Sequence, residues 1–214
     1  TDFAQMTTLS LQLRQKLNEK FCINRLNIAR KLASSADDTV KYLYELPDGN
    51  FVETVLMDYH HGKSLCISTQ VGCRMGCQFC ASTIAGYVRD LQPSELLLQI
   101  YETQRDAGCR IDSIVLMGIG EPLDNFDNVV QFFRLLSHPD GMNMSLRHAA
   151  LSTCGLVPQI RQLADLRLGV TLSVSLHSPE NQRRSEIMPV NRRYRGTAGC
   201  LPVLFRHHRQ TCDH

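Results

Sequence analysis

Eight residues concentrate the chemistry of this chain. Cys73-Arg-Met-Gly-Cys77-Gln-Phe-Cys80 sets three cysteines at C-x3-C-x2-C spacing. Three thiolates this close can hold three irons of a [4Fe–4S] cluster, a centre that soft sulfur ligands favour. The fourth iron then lacks a protein ligand, and a metal site keeps such an open position when it must bind a substrate or cofactor directly. Phe79 offers a flat ring to cover an adenine or the cluster edge. The competing reading is zinc, because Cys66 stands seven residues upstream of Cys73 and the four cysteines can form a structural four-thiolate site. Zinc ribbons use paired C-x2-C knuckles, and only Cys77/Cys80 has that spacing. A disulfide framework fits less well, since no secretory signal accompanies the cysteines.

The pattern C-x3-C-x-aromatic-C resembles the signature of radical S-adenosylmethionine (SAM) enzymes, in which the open iron chelates the amino and carboxylate groups of SAM. The resemblance implies a [4Fe–4S] cluster and SAM as cofactors, with Cys73, Cys77 and Cys80 as the metal ligands.

The elements that must position this loop follow from periodicity. Residues 1–36 read as short helices, with Leu9, Leu11, Leu13 and Leu17, then Phe21, Ile23, Leu26 and Ile28, between polar positions. Val40–Leu46 and Phe51–Met57 are strand-like runs joined by Pro47-Asp48-Gly49-Asn50, a hairpin, and Tyr59–Lys63 is a polar connector. From Ser64 the rhythm becomes strand, loop, helix. The strands are Leu65–Thr69, Ile114–Met117, Leu146–Cys154 and Gly169–Leu176. The helices are Pro93–Ala107, Asn125–Ser137 and Pro158–Leu166. Repeated β-α units predict a parallel sheet in an α/β fold, here a partial, incomplete (β/α) barrel. The expected division is a helical remnant over 1–38, hairpin and connector over 39–62, a core of four β/α units over 63–194, and a tail over 195–214.

The unusual polar residues fall at the ends of successive strands: the cysteine loop after the first, Gly118-Ile-Gly120-Glu121-Pro122 after the second, Ser152-Thr153 at the third, Ser175-Leu176-His177 at the fourth. In β/α barrels catalytic groups gather on that carboxyl rim, so one active site at the mouth is expected. Glu121 and the backbone at Gly120 can receive the SAM ammonium. Ser152 and Ser175 can bond its ribose or carboxylate, or else are buried hydroxyls bonded to backbone. His177 begins the loop after its strand, which suits a site role.

Composition narrows the class. The 214 residues suffice for one good-sized domain, and 43% apolar content can fill its core. No apolar run approaches the roughly 18 residues of a membrane span. Nine cysteines without a secretory signal predict a reducing, cytoplasmic setting. The net charge of +2 is too small to argue for nucleic acid, and the local clusters (Arg183-Arg184, Arg192-Arg193, Arg195, Arg206 and Arg209) read as solvated faces.

A narrower resemblance rests on Glu53-Thr-Val-Leu-Met, Cys66-Ile-Ser-Thr-Gln-Val-Gly-Cys73 through Thr83, Met117-Gly-Ile-Gly-Glu-Pro122, Leu151-Ser-Thr-Cys-Gly155 and Ser173-Val-Ser-Leu-His177. From about Asp2 to Tyr194 the chain resembles the RlmN/Cfr family, radical SAM methyltransferases of adenine in 23S rRNA and tRNA, the match favouring C2 over C8. The resemblance implies a ping-pong reaction with two SAM. The first methylates a cysteine near the family's C-terminus. The second yields a radical that activates that methyl group for addition to adenine C2. A base then removes the C2 proton, and a second cysteine resolves the protein–RNA adduct as a disulfide forms. Glu53 matches the base and Cys66 the resolving cysteine. Phe79, Gly120, Glu121, Ser152, Ser175, Leu176 and His177 match positions that hold SAM. Implied partners are 23S rRNA, tRNA and a reducing protein such as flavodoxin, with no membrane.

The resemblance also implies departures. The chain is expected to open inside the family's accessory domain and to stop before its last two barrel units. No residue matches the methyl-accepting cysteine, because Cys200 and Cys212 stand in different surroundings. In a neighbouring reading frame residues 197–211 are compatible with an amphipathic helix, so 195–214 is expected to be a frameshifted, non-native tail. Two other readings remain: a fragment that binds cluster and SAM without methylating, and a zinc-stabilised RNA-binding remnant.

Overall fold

The computed structural model describes residues 2–192. A short helix, α1 (Leu11–Lys20), precedes four antiparallel strands: β1 (Asn27–Ala33), β2 (Val40–Glu45), β3 (Phe51–Tyr59) and β4 (Gly62–Cys66). The cysteine loop follows, bracketed by β5 (Gln70–Gly72) and β6 (Tyr87–Asp90). Then come α2 (Pro93–Ala107), β7 (Ser113–Leu116), α3 (Phe126–Leu136), β8 (Ala149–Thr153), α4 (Val157–Leu166), β9 (Thr171–Val174) and α5 (Asn181–Ile187). One sheet runs β1-β2-β3-β4-β7-β8-β9, parallel from β4 onward, and β5-β6 forms a separate ribbon. Among the described residues the sheet does not close, and β1 and β9 are its edges. This is the α/β architecture with a parallel sheet that the repeated units predict.

Two local signals explain much of it. Helix α2 starts at Pro93, carries a capping box between Gln92 and Glu95, and ends where Gly108 takes φ 62°, the helix-stop geometry that glycine permits without strain. The β2–β3 turn closes through Leu46 N–H to Asn50 O at 2.8 Å, and the Asn50 N–H donates to Asp48 Oδ1 at 3.1 Å.

Strand alternation sorts the sheet into two faces. Ile114, Leu116, Ala149 and Leu151 are buried in one apolar cluster with Ile100 of α2, Phe132 and Phe133 of α3, and Ile160 of α4. Residues between them point the other way: Val55, Cys66, Val115 and Ala150 lie in register across β3, β4, β7 and β8 and are only partly buried. One face is a packed core, the other an open floor leading to the rim.

The N-terminal reading needs a correction. Phe21–Ile28 was expected to be helical, yet α1 ends at Lys20 and Asn27–Ala33 pairs antiparallel with β2. The pairs Phe21/Ile23 and Leu26/Ile28 in fact repeat every two residues, and the free edge of β2 supplies the ladder bonds that decide for a strand. Tyr59–Lys63 is likewise not a loose connector: β3 and β4 turn directly through His60-His61. The expected tail over 195–214 lies outside the described residues.

Asp106 at the end of α2 pins the added strands, accepting from Lys31 Nζ at 2.5 Å and from Tyr42 Oη at 2.8 Å. Asp106→Asn should cost about 1–2 kcal/mol, the worth of one charge-assisted bond, and lower the midpoint of thermal unfolding by a few degrees. Bonding to Lys31, opposed by partial desolvation and helped by Tyr42, holds the carboxyl below its ordinary value of 3.8. Its contribution is therefore present above pH 3.8 and lost as pH falls through the lower folded value. Acid unfolding of wild type and variant should converge at the acid end, and curves that stay parallel would remove this role.

Candidate active site

The loop after β4 is shaped before any cofactor is considered. Gln70 pairs with Asp90 and Val71 with Arg89, and the Cys73 N–H donates to Gly86 O at 3.1 Å, so the cysteine loop is cinched at its base. Arg89 fixes the ribbon to the core, bonding both carboxylate oxygens of Glu95 at 2.8 Å and Asp48 at 2.6 Å. Arg74 lies over the Tyr87 ring at 4.1 Å and donates to Asp124 at 2.6 Å.

The loop after β7 lies against the extension of β4. Gly118 N–H donates to Ile67 O, and a Cβ at Gly118 would stand 2.7 Å from that oxygen. Gly120 has φ 104° and would place a Cβ 2.6 Å from that of Gln70. Both glycines are required by close backbone approach. Buried Gln99 of α2 receives the Ser68 N–H and donates to the Ser68 carbonyl, while the Ser68 hydroxyl donates to Glu53 O at 2.6 Å and receives the Ile119 N–H at 3.0 Å. A core helix thus sets the rim.

These loops enclose an open cavity of about 190 Å³. Cys73, Cys77, Cys80, Phe79, Gly120, Glu121, Ser152, Ser175 and His177 all line it. Nine residues expected at one site from four separate stretches share one cavity. Phe79 and His177 touch, ring centres 4.3 Å apart, and His177 takes φ 56°, a conformation rare for a residue with a side chain. The Ser152 and Ser175 hydroxyls meet at 3.3 Å within the cavity and bond each other rather than backbone.

Three expected residues lie elsewhere. Leu176 is not a wall of the cavity, and its carbonyl accepts from Arg184 Nε at 3.1 Å. Glu53 and Cys66 sit on the open sheet face: Cys66 is opposite Val55, and Glu53 is two residues along on the same side, its carboxylate 2.6 Å from Lys41 Nζ. Cys66 is a free thiol, and no disulfide occurs among the described cysteines. Burial pushes the Cys66 thiol up, with the Met117 backbone pulling the other way.

Glu121 lines the cavity and also carries a structural duty. Its carboxylate is 4% exposed and already accepts the Leu123 N–H at 3.0 Å and the Cys154 N–H at 2.7 Å. It first ties the loop after β7 to the loop after β8. Burial raises its carboxyl above the ordinary value. Sequence reading missed Met117, Cys154 and Met188, which also line the cavity. Met117 and Cys154 stand inside the motifs that carry the family resemblance, whereas Met188 left no signal.

The donor set fits a cluster. Three free thiols surround one cavity and feel one another's charge. Burial, then Glu121 and the other two cysteines, pushes Cys73 up to about 11, and burial likewise raises Cys77. Among the described residues no three Cys, His, Asp or Glu side chains converge where one ion could sit, and Cys66 lies outside the cavity. A four-thiolate zinc site needs all its sulfurs about 2.3 Å from one centre. In a [4Fe–4S] group each of the three cavity thiolates would take its own iron.

The Radical SAM superfamily model matches residues 67–199, more than half of the chain. The chain belongs to the radical SAM superfamily. Membership implies a [4Fe–4S] cluster and SAM, as the site chemistry does. Among radical SAM relatives the chain is 52% identical over 193 residues to a probable dual-specificity RNA methyltransferase RlmN of Lachnoclostridium phytofermentans, covering 90% of this chain and 54% of that protein. It is 50% identical over 192 residues to the same-named protein of Clostridioides difficile, covering 90% and 56%. The chain thus spans about half the length of the curated relatives it matches. The crystal structure of a radical SAM methyltransferase from Sphaerobacter thermophilus superposes with a TM-score of 0.85 at 38% identity, covering 91% of this chain and 58% of that one. No described helix of this radical SAM chain is long and apolar enough to cross a membrane.

Proposed function

We propose that this chain carries the catalytic core of an RNA methyltransferase that places a methyl group on C2 of adenosine in 23S rRNA and tRNA. The observation that carries the reading is the join between the three-cysteine cavity and the open sheet face bearing Cys66 and Glu53. Adenine C2 is neither acidic nor a good nucleophile, so polar methyl transfer does not reach it. The bound cluster and SAM would supply the one-electron chemistry such a carbon requires.

The protein's part is positioning. Cys73, Cys77 and Cys80 would hold the cluster with one iron open. Phe79, His177, Gly120 and the Ser152/Ser175 hydroxyl pair would orient SAM against it. The adenine, splayed from a loop because helical RNA hides its base edges, would enter over the open face. There Glu53, released from Lys41, would take the C2 proton, and the Cys66 thiol would release the product by forming a disulfide with the family's methyl-bearing cysteine, to which none of these 214 residues corresponds. A reducing protein such as flavodoxin would supply electrons, and RNA substrates imply a cytoplasmic setting.

A second reading, in which the chain binds cluster and SAM without transferring methyl, is favoured by the chain spanning about half the length of its relatives. Anaerobic reconstitution with iron and sulfide, then reduction with SAM and a 23S rRNA fragment, separates the two. 5′-Deoxyadenosine together with 2-methyladenosine supports full methyl transfer. 5′-Deoxyadenosine alone supports the second reading, and neither product from folded, loaded protein sinks both.

A further inference from the structure

One buried charge has no part in the reading above. Arg184 on α5 is 3% exposed, and among the described residues no carboxylate pairs with it. Its guanidinium donates to Leu176 O at 3.1 Å, to Cys154 O at 2.5 Å, to Ser175 O at 3.4 Å and to Asn191 Oδ1. All four acceptors are neutral. Oriented carbonyls lessen the penalty of burying an ion, but they bring no countercharge, and an uncompensated buried charge is costly.

The fold brings the segment that carries this cation against the cysteine loop. Gln78 N–H donates to Ile187 O at the end of α5, and a Cβ at Gly76 would stand 3.6 Å from Pro189. Next to it, Met188 lines the cavity. Burial pulls the Arg184 guanidinium below its ordinary value, and the Cys154 and Cys77 thiols act the other way. Cys154 links the guanidinium to Glu121, its N–H bonding the carboxylate while its carbonyl bonds Arg184.

We propose that Arg184 is the counter-cation of the cluster site: its guanidinium offsets the negative charge that a [4Fe–4S] group brings when held by three thiolates, and so sets how readily that group accepts an electron. This rests on the cluster reading of the cysteine loop. A cluster with three thiolates is net negative, and one-electron reduction adds a further negative charge. A cation fixed nearby in a poorly solvated site stabilises the reduced form more than the oxidised one. The same fork holds the loops after β8 and β9 together, so Arg184 is a positioning residue in which charge and shape must be separated experimentally.

Arg184→Lys keeps the charge and loses the fork, whereas Arg184→Gln keeps polarity and loses the charge. The full 214-residue chain and both variants are reconstituted with iron and sulfide. Reduction is followed by a redox titration read by electron paramagnetic resonance, without RNA, and thermal unfolding is recorded before and after loading. The expected result is a more negative reduction potential in Arg184→Gln, a potential near wild type in Arg184→Lys, and a smaller rise in midpoint on loading for Arg184→Gln. Failure of Arg184→Gln alone to take up the cluster would point the same way. Equal potentials in wild type and Arg184→Gln, or two variants altered alike, would overturn the role. Those outcomes leave the cluster reading standing, whereas a wild type that takes up no cluster ends both.

Discussion

Cys77→Ala abolishes cluster uptake and takes 5′-deoxyadenosine formation to background, while the fold survives. The expectation follows from where the thiols stand. Cys73, Cys77 and Cys80 line one cavity, and each would hold a different iron, so none can substitute for another. Loss of residues that merely support metal ligands already costs about 10–100-fold in affinity or activity, and removing a ligand itself should exceed that. The informative control is Cys66→Ala. A four-thiolate zinc site would lose its metal in that variant as surely as in Cys77→Ala. A three-thiolate cluster would not, because Cys66 is on β4 opposite Val55 and outside the cavity. Iron and sulfide content, visible absorbance and product formation after anaerobic reconstitution read the comparison. Retained cluster and 5′-deoxyadenosine in Cys66→Ala, with both lost in Cys77→Ala, supports the assignment. Equal loss in the two variants would sink it.

The parts of this site that were legible in the sequence share one property: each is a short polar interruption directly after an apolar run. Ile114–Met117 followed by Gly118-Ile-Gly120-Glu121 can be read as strand then functional loop because an unbroken apolar run gives way at once to glycines and a charge. Arg184 could not be read that way. It lies in Glu180-Asn-Gln-Arg-Arg-Ser-Glu186, whose composition reads as a solvated helix face, and its burial arises from Cys154, Ser175 and Asn191, contributed by three other segments. The β5–β6 ribbon was invisible for another reason. Its strands have three and four residues, too few for a period to register, and the Gly72–Tyr87 register shift breaks the alternation. The structural duty of Glu121 could not be read from the sequence, since the two amides it holds belong to Leu123 nearby and Cys154 thirty-three residues on.

That duty makes Glu121→Ala the most damaging single change expected outside the cysteines. The substitution leaves the Leu123 and Cys154 N–H groups without acceptors in a buried loop, and each orphaned donor costs about 1–3 kcal/mol. Together they remove a large share of a stability that totals about 5–15 kcal/mol in ordinary domains. The unfolding midpoint should fall by on the order of 10 °C. Glu121→Gln should lie between, because one amide keeps an acceptor oxygen while the other faces the new NH2 group, donor against donor. The cysteine thiols are untouched, so both variants should still acquire the cluster absorbance below their lowered midpoints. With the loops after β7 and β8 untied, however, the SAM-binding side of the cavity loses its shape, and 5′-deoxyadenosine formation falls although iron content does not. That split separates Glu121 from the metal ligands, whose loss removes cluster and product together. An unchanged midpoint in Glu121→Ala would show that water or a rearranged loop satisfies the two amides, and that the link from β7 to β8 is made elsewhere.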